Sequence, residues 1–315
     1  MGLNYKKILG VNITIDNEEK ILEEIRKYLK TKNKEQRTEN KKTINPFIIC
    51  TPNPEIVIYA QKDSVFIEIV NTAQINIPDG KGIVWALKKI FDIKIKPIPG
   101  ADLMQSLCQL AAGNTYTIGL IGGRGGLALE TRKCLRKMYP KLKIEVLGEP
   151  EVEIKNNKLQ IIPPQRDPAS GGTNYKEQKT NLIISDDLGR SININKYFDN
   201  LVQQIDKQKI DIILVAMGFP KQEYFISRLS LVARLAARQV GRWPMRRPLV
   251  MMGVGGSFDY IAGRVERAPD WMKRAGIEWL YRLLVEPWRI KRQLIGSQFF
   301  LRVIISTCCQ GATLT

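Results

Sequence analysis

The sequence predicts an α/β fold with a largely parallel sheet. Short apolar runs recur along the chain, each closed by a turn rich in Gly or Pro, and each turn leads into a stretch with helical spacing. With 315 residues, 44% of them hydrophobic, the chain can bury one large α/β core or two domains.

Along the chain, residues 21–29 have helical spacing, with Asp16 or Asn17 to cap them, and residues 30–43 are polar and read as a loop. Five strand-and-turn units follow. Phe47–Cys50 runs into Thr51-Pro52-Asn53-Pro54-Glu55, and residues 75–77 run into Pro78-Asp79-Gly80-Lys81-Gly82. Residues 116–121 run into Gly122-Gly123-Arg124-Gly125-Gly126. Residues 210–216 run into Met217-Gly218-Phe219-Pro220-Lys221-Gln222-Glu223, and 249–252 into Gly253-Val254-Gly255-Gly256. In a parallel sheet these turns gather at the carboxyl ends of the strands, where ligands bind. Two stretches break the pattern: a polar one, 151–195, read as an insertion or surface excursion, and a basic one, 228–247, with arginines near helical spacing. The expected division is a core over 1–257 and a helical, basic appendage over 258–315.

The formal charge is +18, and the segment from Arg228 to Arg302 alone carries thirteen Arg and two Lys against five Asp or Glu. Such a field points to an anionic partner: a diphosphate ligand, an acidic lipid surface or a nucleic acid. Three tryptophans, Trp271, Trp279 and Trp288, are interleaved with the tail arginines. Ile277, Leu280, Leu284 and Trp288 share one helical face, which suits either core packing or the headgroup region of an anionic membrane. No apolar run approaches the roughly 18 residues that span a bilayer, and no signal peptide opens the chain, so a cytoplasmic protein held on the membrane surface is expected.

There is no histidine, which excludes Ser-His-Asp and Cys-His machinery, imidazole bases and His metal ligands. None of the five cysteines forms a C-x-x-C pair, and no two aspartates stand in a D-x-D pattern. Acid–base work falls to Asp, Glu, Tyr or Lys, and a diphosphate must be neutralised by cationic side chains. No metal site and no cofactor are expected.

Each turn has a structural and a functional reading. Asn53-Pro54 suits a helix start, Asn as cap and Pro at the first position, which leaves Thr51 at a strand end with its hydroxyl toward the crevice. Asp79-Gly80 is ordinary turn chemistry, yet it also holds a carboxylate at the sheet's mouth, a candidate general base. Residues 123–128 fit G-x-G-x-x-A, a loop that can seat a pyrophosphate on a helix N-terminus; Gly122 and Gly123 are its candidate ligand contacts, with Glu145 and Glu149 the nearest acidic residues beyond. Gln222 and Glu223 either start a helix or hydrogen-bond sugar hydroxyls, and Gly255 lets backbone approach phosphate.

Jointly, TPNPE, IPDGKG, GFPKQE and the tail from GVGG through RAPDWM, GIEWLYRLL and EPWRIKR resemble the WecG/TagA/CpsF glycosyltransferase family, in its order and over most of the chain. The resemblance implies a Rossmann-like core and a basic C-terminal appendage. It implies metal-independent, inverting transfer of an N-acetylmannosamine-type sugar from UDP to an undecaprenyl-diphosphate-linked GlcNAc, in cell-envelope polysaccharide or teichoic acid synthesis. Asp79 matches the family's proposed base, Thr51 and Asn53 its substrate-contacting turn, with Gly80 beside them. Arg267, Arg274, Arg282, Arg289 and Arg292 match the tail arginines that reach diphosphate. The segment 96–100 lacks an arginine expected before Ala101-Asp102. Another UDP-hexose donor is the alternative within the family. A basic nucleic-acid-binding protein is the alternative outside it, and no recognition helix, RNP motif or zinc finger supports that reading. Homo-oligomerisation stays open.

Overall fold

The computed structural model describes residues 2–31, 45–155, 158–162, 183–185, 191–239, 247–269, 271–272, 278–287 and 290–311. Six parallel strands form the central sheet: β3 (Phe47–Cys50), β4 (Ile75–Asn76), β5 (Thr117–Gly122), β6 (Lys143–Gly148), β11 (Ile212–Ala216) and β12 (Val250–Gly253). Their spatial order is β4-β3-β12-β11-β5-β6. All five expected strands are present within two residues of their sequence bounds, and β6 adds an edge that the turn pattern did not mark. The chain leaves β5 toward β6 on one side and β11 toward β12 on the other. A topological switch point, the usual place for a ligand crevice, therefore lies between β5 and β11.

Both faces of the sheet are covered, which is why its inner strands β3, β12 and β11 are continuously apolar. Ile213, Val215 and Met251 point into one core, shared with Phe66, Phe198, Phe225 and Leu229. Ile212, Leu214, Val250 and Met252 point into the other, shared with Ile21, Ile25, Leu103, Leu107 and Phe258. The helices supplying these layers are α1 (Glu18–Lys30), α2 (Pro54–Ala60), α3 (Ser64–Asn71), α4 (Lys81–Phe91), α5 (Gly100–Asn114), α6 (Leu127–Met138), α7 (Ile194–Lys207), α8 (Lys221–Gln239) and α9 (Ser257–Ala262). Of the two residues offered as cap for α1, Asn17 is the cap and accepts from the Lys20 amide at 3.0 Å. Asp16 instead pairs with Lys20 Nζ at 2.6 Å and bonds Asn4.

Three features depart from the linear reading. The N-terminus folds into an antiparallel hairpin, β1 (Tyr5–Ile8) with β2 (Val11–Thr14), turned by Leu9 and Gly10 at positive φ. The stretch 151–195 is not wholly irregular. It contains an antiparallel pair β7 (Glu151–Lys155) and β8 (Lys158–Ile162), and a second pair β9 (Ile183–Ser185) and β10 (Ser191–Asn193). Of 228–247, residues 228–239 are the second half of α8, helical as the arginine spacing suggested and anchored by buried Leu229 and Ala233, and Arg247 pairs with Asp211 at 3.1 Å.

After α9 come α10 (Glu278–Val285) and α11 (Ile290–Gly311), and α11 adds Phe299 and Val303 to the first core. Helix α11 lies against α2 and α4, with Phe299 and Val303 buried and Phe300 5.0 Å from Trp85, centroid to centroid. Among the described residues no helix is long and apolar enough to cross a membrane.

Candidate active site

The five turns converge on one cleft of about 1100 Å³ at the carboxyl ends of the sheet. Helices α2, α4, α5, α6, α8 and α9 all begin on its wall, so their positive dipole ends face it.

The turns after β3 and β4 are built as one unit. The Asn53 Oδ1 accepts from the Ile56 amide at 2.9 Å and caps α2, with Pro54 at the first position as its sequence requires. Asp79 N donates to Ile77 O at 2.9 Å and Pro52 O at 3.3 Å, which stitches the two turns together. Gly80 sits at φ +84°, a conformation that favours glycine. A side-chain carbon built on Gly82 would come 2.5 Å from Pro54 Cγ, so glycine there lets α4 start against α2. Thr51 is nearly buried, with α5 packed onto its side chain at Gly100. Thr51, Asn53, Asp79 and Gly80 all line the cleft.

The glycine loop after β5 differs from its pattern reading. The two amides at its helix start are already occupied: Glu149 accepts from Gly126 N at 3.0 Å and Ala128 N at 2.7 Å. Arg264 donates to the carbonyls of Arg124 (3.1 Å) and Gly125 (2.7 Å) and pairs with Glu130. The carboxylate of Glu149 thus stands where a pyrophosphate would stand in a G-x-G-x-x-A loop. Gly123 and Arg124 line the cleft, whereas Gly122 packs beneath, where a Cβ would meet Ala216 O at 2.5 Å.

Gln222 and Glu223 are both buried, but only Gln222 lines the cleft. Its Oε1 accepts from Gly255 N at 2.9 Å, and its Nε2 donates to Glu223 Oε1 at 2.9 Å. A Cβ on Gly253 would come 2.7 Å from that Nε2, so the glycine makes room for the amide. Glu223 is therefore a buried support and does not itself face the cleft, and among the described residues no other side chain bonds its Oε2. Burial lifts its pKa from the ordinary 4.5 to about 7, with the Gln222 hydrogen bond opposing.

That shift has a definite sign. The unfolded chain releases this proton near its ordinary pKa and the folded one near 7, so stability falls as pH rises through that window and is level above it. Glu223→Gln should remove the dependence. The variant's stability relative to the parent should grow by up to about 3 kcal/mol between about pH 5 and about pH 8, measured by urea unfolding. A difference independent of pH would contradict the assignment.

Among the tail arginines, Arg267 is in the cleft, half-buried, 2.5 Å from Asp102 Oδ1 and 3.4 Å from Glu278 Oε1. Burial works against its charge, but the hydrogen bond and charge of Asp102 and the charge of Glu278 outweigh it and raise its pKa. Arg274 and Arg289 lie outside the described residues, as do the side chains of Arg282 on α10 and Arg292 on α11. Cleft residues that the turn-by-turn reading passed over are Lys81, Lys221, Asp102, Arg264 and Glu278. The two lysines were legible as first helical residues inside quoted motifs; the others become site residues only through long-range packing.

The glycosyl transferase WecG/TagA/CpsF family matches residues 6–162 and 188–312. The chain is 27% identical over 257 residues to the N-acetylglucosaminyldiphosphoundecaprenol N-acetyl-beta-D-mannosaminyltransferase of Bacillus subtilis (strain 168), covering 82% of this chain and 78% of that one. It is 28% identical over 253 residues to the protein of the same name from Staphylococcus aureus (strain MRSA252), covering 80% and 77%. The motifs these matches span are those that build the cleft, and the chain belongs to the WecG/TagA/CpsF family of glycosyl transferases.

Proposed function

We propose that this enzyme transfers an N-acetylmannosamine-type sugar from a UDP-sugar to a GlcNAc carried on undecaprenyl diphosphate, in the synthesis of a cell-envelope polymer. The observation that carries the reading is Asp79, held by a rigid turn at the switch-point cleft of a chain whose relatives bear that activity in their names. The acceptor hydroxyl oxygen attacks the anomeric carbon from the face opposite UDP. Its proton passes to the Asp79 carboxylate as the bond from the sugar to the diphosphate oxygen breaks, and UDP leaves with the electron pair. One displacement inverts the anomeric centre. Charge growing on the diphosphate is met by cationic side chains such as Arg267 and by the converging helix N-termini, with no metal required. Thr51, Asn53 and Gln222 orient sugar hydroxyls, and Gly255 lets the backbone come close.

The appendage over 258–315 docks on the cytoplasmic face of the membrane in this proposal. On α11, Leu294, Leu301 and Ile305 are 63%, 60% and 52% exposed, on the face opposite buried Phe299 and Val303. An exposed apolar stripe on a basic segment suits an anionic lipid surface. Flotation with acidic liposomes should recover the full chain and lose a chain truncated after residue 257; equal flotation of both would defeat the membrane role. The transfer itself is tested with a panel of UDP-sugars and a GlcNAc-diphosphate lipid acceptor, the product identified by mass and its anomeric configuration by NMR. Product from UDP-N-acetylmannosamine is expected. Product only from another UDP-hexose would move the donor assignment within the family, and no product from any donor would end the reading.

A further inference from the structure

We infer that the cleft extends into a subsite for the first isoprene units of the acceptor's lipid chain, an inference that rests on the transfer reaction proposed above. Trp85 lies on α4 one helical turn beyond Lys81, next to the Asp79 turn, and its ring packs on Phe300 of α11. Gly296, Ser297 and Phe300 of α11 and Trp279 of α10 line the same cleft. Gly296 and Phe300 are four apart and share a helix face, and a Cβ built on Gly296 would meet nothing within 4 Å. The wall opposite α4 is therefore aromatic at one position and vacant at the next.

Polarity across the cleft fits one kind of ligand. Lys81 and Arg267 line it together with this aromatic wall. Trp279 and Phe300 remain 49% and 39% exposed, apolar surface that a water-soluble sugar nucleotide would leave wet. A diphosphate on an isoprenoid stem is anionic at the head and apolar immediately behind it. Its head meets Lys81, beside the Asp79 turn, and its stem covers the rings. The outer face of α11, with exposed Leu294 and Leu301, continues the apolar surface away from the cleft.

Filling the vacancy tests this. Gly296 has an ordinary helical φ with open space above it, and glycine is a poor helix former, so Gly296→Leu and Gly296→Ala should both fold. Gly296→Leu is expected to raise KM for the polyprenyl-linked acceptor about tenfold. KM for the UDP-sugar, and for an acceptor bearing a butyl group in place of the chain, should stay within about twofold. Gly296→Ala should shift the polyprenyl-acceptor KM in the same direction but less than Gly296→Leu, in step with side-chain size. An equal shift for both acceptors, or none for either, overturns the subsite. If the parent enzyme glycosylates neither acceptor, the transfer reading has failed, and the subsite is then decided by binding. Energy transfer from tryptophan to dansyl-farnesyl diphosphate should report about tenfold weaker affinity in Gly296→Leu. Unchanged affinity, or full displacement of the probe by phosphatidylglycerol vesicles free of isoprenoid, overturns it.

Discussion

Asp79→Asn is expected to cut turnover by about 10²–10⁴-fold, the usual contribution of a positioned general base. The substitution is nearly isosteric, and the backbone bonds from the Asp79 amide to Ile77 O and Pro52 O, which stitch the two turns together, are unaffected by it. UDP affinity, measured by calorimetry, should remain near the parent value, since the base meets the acceptor hydroxyl and not the nucleotide. A large fall in kcat with unchanged UDP binding is the signature of a group acting on the reacting proton. Turnover equal to the parent's would end the assignment of Asp79.

Arg267→Gln is expected to lower kcat/KM for the lipid acceptor by about 10²–10³-fold, in the range for losing one preorganised group that stabilises transition-state charge. Arg267 is anchored at both ends of its guanidinium, by Asp102 of the core and Glu278 of α10, so it approaches the cleft already oriented. That anchoring has two consequences. A lysine cannot reproduce a planar fork with two partners, so Arg267→Lys should recover little of the loss. The core and the appendage are also tied together at this residue. Because the charge that Arg267 meets on the UDP diphosphate grows only in the transition state, the fall in kcat should exceed the fall in UDP affinity. Steady-state kinetics with both substrates varied would check this, and a loss under about threefold would remove Arg267 from the site.

Features that depend on neighbours in sequence were legible before any coordinates. Asn53 before Pro54 caps α2 as read, and Gly80 occupies the positive φ that its turn demands. The continuous apolar runs became strands buried on both faces. Features that depend on distant partners were not legible. The loop 123–128 has the pattern of an anion cradle, but whether its amides are free depends on Glu149, which lies over twenty residues on and folds back onto them. Gln222 and Glu223 look equivalent as neighbours. Their roles part because Gln222 reaches Gly255 across 33 residues while Glu223 turns into the protein. The helical spacing of the arginines after residue 228 is borne out over 228–239, but that this stretch continues α8 on the core depends on buried Leu229 and Ala233, whose partners are distant in sequence.

The sequence by itself determined the α/β class, the strand-end turns, the candidate base and the family, because each rests on local residue chemistry or on motifs in a fixed order. The tertiary structure alone decided the strand order β4-β3-β12-β11-β5-β6 and hence where the turns meet. It also decided which loop amides are already occupied, and that Arg264 and Arg267, among the described tail arginines, line the cleft. Those outcomes are set by packing and by hydrogen bonds between residues far apart in the chain, 165 positions for Arg267 and Asp102 and more than that for the β3–β12 pairing, and no local pattern encodes such distances.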